Sequence, residues 1–300
     1  MPLPPFLRSM IQNVAAARIR QTVVAAAETQ IAQVAKSAAE ATETARQPCQ
    51  AAILFALGEE AGGLDDRMED FAVLRGAGFQ VHLGRLKGRR VVVGISGAGQ
   101  QPAARAAAAI LQAYRPPRVF CAGFCGGLDR HLRRHDLFVA QVLQDAQGQT
   151  IELGCQLDIA AMRVRGKVHV GRLLTVDQPV RTPAAKRALG QRSGALAVDM
   201  ESFAVAQVCR SERIPCGVFR VVSDAVDDEL PPEVAGLVRQ KTTAARLGAA
   251  LASVWNRPGS LKDLYRLKEN ALIASDRLAD FLTEAICRLC PLPPADTESA

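Results

Sequence analysis

Apolar and polar positions along the chain fall into three regimes. From Leu7 to Arg46 the residues are mostly Ala, Gln, Glu and Arg, with no Gly, and a weak apolar stripe (Leu7, Ile11, Val14, Ile19, Val23) predicts helix over 1–48. The stripe is mostly Ala and breaks at Arg18, which predicts an arm packed on the body or on another subunit. A helix seated on a membrane surface is the other reading of it. From Gln50 short apolar runs alternate with segments of helical spacing. The runs "AAILFAL" (51–57), "RRVVVGIS" (89–96), "RVFCAGF" (118–124), "HDLFVAQVL" (135–143), "KVHVGRLLTV" (167–176), "ALAVDM" (195–200) and "PCGVFRVVSD" (215–224) predict strands. Helices are predicted at 102–114, with Pro102 in the first turn, at 182–191, capped by Thr182, at 201–212, and from about Pro232 to Trp255. After the loop "NRPGS" a further helix runs from about Leu261 to Leu289, read as a peripheral tail.

Strands alternating with helices predict a three-layer α/β/α sandwich around a central mixed, largely parallel sheet, with helical N- and C-terminal extensions. The corresponding division is 1–48 for the N-terminal extension, 49–257 for the body and 258–300 for the C-terminal tail. Composition supports a substantial core: 49% of the 300 residues are hydrophobic, but only 4% are aromatic, so that core rests on Ala, Val, Leu and Ile.

The net charge of +7 is spread along the chain without interleaved aromatics, so nucleic acid is not an expected partner. Of eight cysteines, Cys121, Cys125 and Cys216 lie in strand-like runs, where buried free thiols are ordinary. They suggest no disulfide framework and a cytoplasmic location. No apolar run reaches the ~18 residues that span a bilayer, and the N-terminus lacks the apolar core and cleavage site of a signal peptide. His131 and His135, with Asp129 and Asp136, read as a solvated basic turn, and "CRLC" (287–290) as a helix end. Neither a metal nor a cofactor is expected. The turn "GAG" (97–99) lacks the third glycine of a dinucleotide fingerprint.

In α/β sheets, ligand groups collect at the carboxyl ends of strands. There the chain places Glu59 and Glu60 in "GEE", Ser96 in "SGAG", Asp199, Met200 and Glu201 in "VDMES", and Ser223 and Asp224 in "RVVSD". Taken singly, each acid reads as a helix cap or a solvated turn. Three acids, each following its own apolar strand, are more specific.

These stretches, with "GEEAGGL" (58–64), "AGFCGGL" (122–128) and "RVVSDAVDD" (220–228), resemble the nucleoside phosphorylase/nucleosidase superfamily. Within it they are most similar to the 5′-methylthioadenosine/S-adenosylhomocysteine nucleosidases and the hopanoid-associated phosphorylase-like proteins. The resemblance covers about residues 50–255. It implies a nucleoside phosphorylase-like fold, a small-molecule nucleoside as partner and a homo-oligomer. By the same resemblance Glu201 binds the ribose hydroxyls beside Met200, Asp224 protonates the leaving purine with Ser223 holding it, Glu60 orients the attacking water, and Ser96 and Gly97 line the sugar and nucleophile end. The chemistry agrees: cleaving a ribose–purine bond builds positive charge on the sugar and negative charge on the base, so one ionised and one proton-donating carboxyl suffice.

Phosphorolytic members of the superfamily carry an Arg and a Ser where this chain has Cys121 and Phe124. That departure, with the negative "GEE", favours water over phosphate. Arg67, Arg75 or a neighbouring subunit is left as a source of cation. Pro179 stands where the nucleosidases usually stack an aromatic on the base. Two further readings stay open: a phosphorylase or nucleosidase of an adenosyl lipid, with peripheral membrane contact through the N-terminal arm, and a non-catalytic nucleoside-binding module.

Overall fold

Alternation within single strands decides which residues face which helical layer. In β1 (Ala51–Phe55) residues 51, 53 and 55 enter one apolar cluster, while 52 and 54 enter another on the opposite face. A strand buried on both faces reads as an unbroken apolar run, and "AAILF" is one. The computed structural model describes residues 49–76, 78–154, 157–230 and 260–292. The helices read at 1–48 and at Pro232–Trp255 lie outside the described residues.

In chain order, β1 is followed by α1 (Gly58–Asp65), β2 (Glu69–Gly76), β3 (Phe79–Leu86), β4 (Arg89–Ile95) and α2 (Gln100–Tyr114). Then come β5 (Val119–Gly127), β6 (Leu137–Gln144), β7 (Thr150–Glu152), β8 (Val168–Thr175) and α3 (Pro183–Ser193). The last elements are β9 (Ala197–Asp199), α4 (Ser202–Ser211), β10 (Cys216–Asp224) and α5 (Ser260–Leu289). Except at the turn 75–78, these elements belong to one compact unit.

The strands form one mixed sheet in the order β10-β6-β8-β9-β5-β1-β4-β3-β2, with β7 on β6. β10 also pairs with β5, so β5, β10, β6, β8 and β9 close into a ring from which the remaining strands extend. The β4–β1–β5–β10 stretch is parallel. β6 on β10, β9 on β5 and β3 on β4 are antiparallel.

Helices cover both faces. On one, Ala106, Ala107 and Ile110 of α2 and Phe203, Val205 and Ala206 of α4 join the even-numbered residues of β1. On the other, Ala61 and Leu64 of α1 meet Leu278, Phe281, Leu282 and Ile286 of α5. Segment 258–300, read from the sequence as peripheral, therefore supplies part of the main core through α5. Gly63 allows that contact: a Cβ there would fall 2.7 Å from the Ser275 carbonyl oxygen.

The hairpin β2–β3 and the short β7 are absent from the sequence reading, as is α1, since "GEE" was read as a strand end. β2 is largely exposed and lies at the sheet's edge, so no long apolar run marks it. The β3–β4 turn has positive φ at both Lys87 and Gly88, as a tight hairpin requires.

Candidate active site

The end of β1 builds the first part of the site. Its chain turns into α1, and Glu60, in the first turn, folds its carboxylate back over the backbone. Oε2 accepts the N–H groups of Ala56 (3.0 Å) and Leu57 (2.9 Å), and Oε1 accepts that of Phe124 (2.8 Å). Burial pushes the Glu60 carboxyl above its ordinary range, opposed by the Arg220 guanidinium and these three N–H donors. Ser96, at the end of β4, lies alongside. Its hydroxyl proton goes to Gly97 O (2.8 Å) or Phe55 O (3.2 Å), and the Gly97 N–H bonds Ala56 O (2.9 Å).

β9 runs against β5, and its register, with Val198 opposite Gly126, carries Asp199 inward from the end of β5 toward Cys125. The chain bends at the half-buried Met200 and enters α4. Glu201 is buried, with Oε1 accepting the Gly99 N–H at 2.7 Å. Burial and the neighbouring Asp199 push the Glu201 carboxyl up to about 8, against the pull of Arg220 and the Gly99 N–H. Asp199 accepts from Thr175 Oγ1 (2.7 Å) and from the Ser202 N–H (3.0 Å), so it does cap α4.

Asp199 also pairs with a residue the sequence reading passed over. Arg220, in the middle of β10, is 1% exposed. Its Nη2 lies 2.7 Å from Asp199 Oδ2, 2.7 Å from Ser202 Oγ and 3.2 Å from Cys121 Sγ. Burial alone would weaken its hold on its proton, yet Cys121, Asp199, Glu201 and Glu60 together keep it more firmly charged than usual. The strand register explains the placement, since Arg220 lies opposite Gly123 and Val218 opposite Cys121. A guanidinium thus reaches the position left without one on β5, delivered from the next strand. Gly123 is required there: its φ is +155°, and a side chain would collide with the guanidinium and with Glu60 Oε1. Arg67, considered above as a cation source, is held instead by Asp276 and Asp280 of α5. The sequence signal was a lone arginine within an otherwise apolar strand, where an unpaired charge is too costly to bury.

The far end of β10 forms a second polar group. Ser223 Oγ lies 2.6 Å from Asp224 Oδ1 and 3.1 Å from Cys125 O. Asp224 is 4% exposed, and its Oδ2 lies 2.5 Å from Nζ of Lys186 on α3. The structure therefore gathers Glu60, Ser96, Gly97 and Glu201, with Met200 next in sequence, about the end of β1 and Arg220, and places Ser223 and Asp224 at the end of β10. Arg220 and Asp224 stand four positions apart on β10, roughly 13 Å of strand. Among the described residues, no group of three or more His, Cys, Asp or Glu is arranged to hold a metal ion. His131 is engaged with Asp129 at 2.8 Å.

The ionisation of Glu201 has a measurable consequence. A carboxyl raised in the folded state above its unfolded value of about 4.3 favours folding fully below that value, and this benefit disappears as pH rises through about 8. The part of the ligand-free protein's thermal stability that rests on Glu201 is expected to be lost between about pH 4 and pH 8. Glu201→Gln, which cannot ionise, is expected to flatten that slope. An identical slope in the variant would contradict this assignment.

A mixed sheet layered by helices, with buried carboxylates around Arg220 in the middle of β10 and a Ser–Asp pair at its end, defines an α/β protein with two buried polar groups along one strand. The chain belongs to the phosphorylase superfamily, whose family model matches residues 50–253. It is 26% identical over 199 residues to a 5′-methylthioadenosine/S-adenosylhomocysteine nucleosidase of Aeromonas salmonicida, covering 59% of this chain and 86% of that protein. With the enzyme of the same description from Bacillus thuringiensis it shares 28% over 200 residues, 59% of this chain and 87% of that one. Among solved structures, the Neisseria meningitidis nucleosidase in complex with methylthio-immucillin-A has a TM-score of 0.61 at 21% identity, covering 79% of this chain and 97% of that one. Futalosine hydrolase of Helicobacter pylori has a TM-score of 0.59 at 22% identity, covering 78% and 97%. Both share the fold.

Proposed function

We propose that this protein hydrolyses the N-glycosidic bond of a purine nucleoside of the 5′-methylthioadenosine/S-adenosylhomocysteine type, releasing adenine. The observation that carries this reading is the charge balance at the sugar end. Three buried carboxylates, Glu60, Asp199 and Glu201, surround the single guanidinium of Arg220. A phosphate dianion entering that cluster meets three carboxyl groups and a guanidinium already engaged by Asp199 and Ser202. Water meets an acceptor in Glu60 and a donor in Arg220, whose Nε is buried without a hydrogen-bond partner. The carboxyl oxygens of this cluster stabilise positive charge developing on the ribose as its bond to the base breaks.

In this reading Glu201 takes the ribose hydroxyls with Met200 against the sugar, Ser96 and Gly97 complete that wall, and Glu60 orients and deprotonates the water. Asp224, with Ser223 beside it, gives a proton to the departing purine. General acid and base assistance are each worth about 10²–10⁴-fold. The relatives' names support the substrate class, and the spacing of Arg220 from Asp224 suits a ribose at one end and a purine at the other. We place the enzyme in the cytoplasm, in keeping with the free thiols of Cys49, Cys121, Cys125, Cys209 and Cys287.

The test is adenine release from methylthioadenosine and adenosylhomocysteine, with and without phosphate. Turnover that needs no phosphate is expected. Strict dependence on phosphate would overturn hydrolysis, and binding without turnover would favour a nucleoside-binding module.

A further inference from the structure

The carboxylate at the base end has a buried partner that no motif marks. Lys186 is 0% exposed, although it lies on a helix whose other described residues are at least partly exposed. Its Nζ donates to Ala225 O and Asp228 O, each at 2.8 Å, and lies 2.5 Å from Asp224 Oδ2. An ammonium has three protons and no lone pair. Two protons serve carbonyls of the loop after β10, and the remaining side faces the carboxylate. Oδ2 itself is buried and takes no hydrogen bond of regular geometry, so the ammonium acts on it as a charge. Oδ1 differs, because the Ser223 hydroxyl can bond either to it or to Cys125 O. Of the two oxygens, Oδ1 alone can exchange its partner.

We propose that Lys186 is a positioning residue for the glycosidic cleavage. It fixes Oδ2 and the 225–228 loop, which leaves Oδ1 as the atom that handles the proton, and it stabilises the carboxylate that proton transfer leaves behind. This rests on the reading of Asp224 as the acid. As the bond from the sugar to the purine breaks, its electron pair passes to the base. Oδ1 first takes a proton from solvent, with the Ser223 hydroxyl turned to Cys125 O; that Oδ1–H bond then breaks and an N–H bond forms on the purine, while Lys186 keeps its own proton throughout. The negative charge appearing on Asp224 then meets an ammonium already in place, which needs no reorganisation. Burying a lysine is costly unless it is paired, and here the cost supports the leaving group.

A double-mutant cycle on Lys186 and Asp224 tests this, with methylthioadenosine as substrate and thermal melts to follow folding. Lys186→Met is expected to lower kcat about 10²-fold with KM kept within about threefold. In the Asp224→Asn background the same change is expected to cost less than about threefold more, because Lys186 acts through Asp224. The double variant carries neither charge and leaves no buried ion alone. If Lys186→Met does not fold, Lys186→Arg replaces it with the same expectation in kind, since a planar guanidinium cannot serve three acceptors from one nitrogen. Wild-type kcat in the Lys186 variant, or losses that multiply in the double variant, would overturn the proposal. Wild-type turnover by Asp224→Asn alone would instead remove the acid assignment beneath it.

Discussion

Replacing Asp224 by Asn is expected to lower kcat by about 10²–10⁴-fold while KM for the nucleoside changes little. The substitution keeps the shape of the side chain and an oxygen that can face Lys186, so the clamp at 2.5 Å retains an acceptor. Ser223 Oγ keeps Cys125 O as an alternative acceptor. What disappears is a titratable proton at the end of β10. A group acting only in the transition state lowers kcat and kcat/KM together. Steady-state kinetics with melting curves separate this from unfolding: slow turnover with near wild-type Tm is expected, and unchanged kcat would refute the assignment.

Replacing Arg220 by Met is expected to have the largest effect on stability. The side chain is wholly buried against Asp199, Ser202 and Cys121, and removing one partner of a buried ion pair typically costs about 3–5 kcal/mol. The loss here lies toward the upper end, because Glu60 and Glu201 share the same cation. Tm is expected to fall by roughly 10 °C or more, and turnover to be lost with it. Adding Asp199→Asn is expected to restore part of the stability by removing the carboxylate left without its cation. A single variant melting within about 2 °C of wild type would show that the carboxylates do not depend on Arg220.

The apolar strands and the acids at their ends were legible in the sequence because both signals are local. "RVVSD" and "VDMES" place Asp224 and Glu201 at strand ends by periodicity alone. What joins those ends is not local. Lys186 looks in sequence like an ordinary surface cation and Arg220 shows only as a lone charge in an apolar strand; the partners of both follow only from register: Arg220 opposite Gly123, and α3 against the loop after β10. For the same reason Cys121 read as the loss of a cation, when the neighbouring strand supplies one. The amphipathic spacing of α5 was visible. Its place against α1 was not, since the contact depends on Gly63 and Ser275, 212 residues apart. β2 was missed because an exposed edge strand needs no apolar run.

In the proposed reading the buried groups around Arg220 select water over phosphate as the nucleophile, and the sugar product reports that choice directly. Methylthioadenosine turned over in ¹⁸O-labelled water, with and without added phosphate, is expected to give adenine and free methylthioribose at the same rate, with the label on the anomeric oxygen. A sugar 1-phosphate as product, or turnover that stops when phosphate is removed, would contradict hydrolysis at this site.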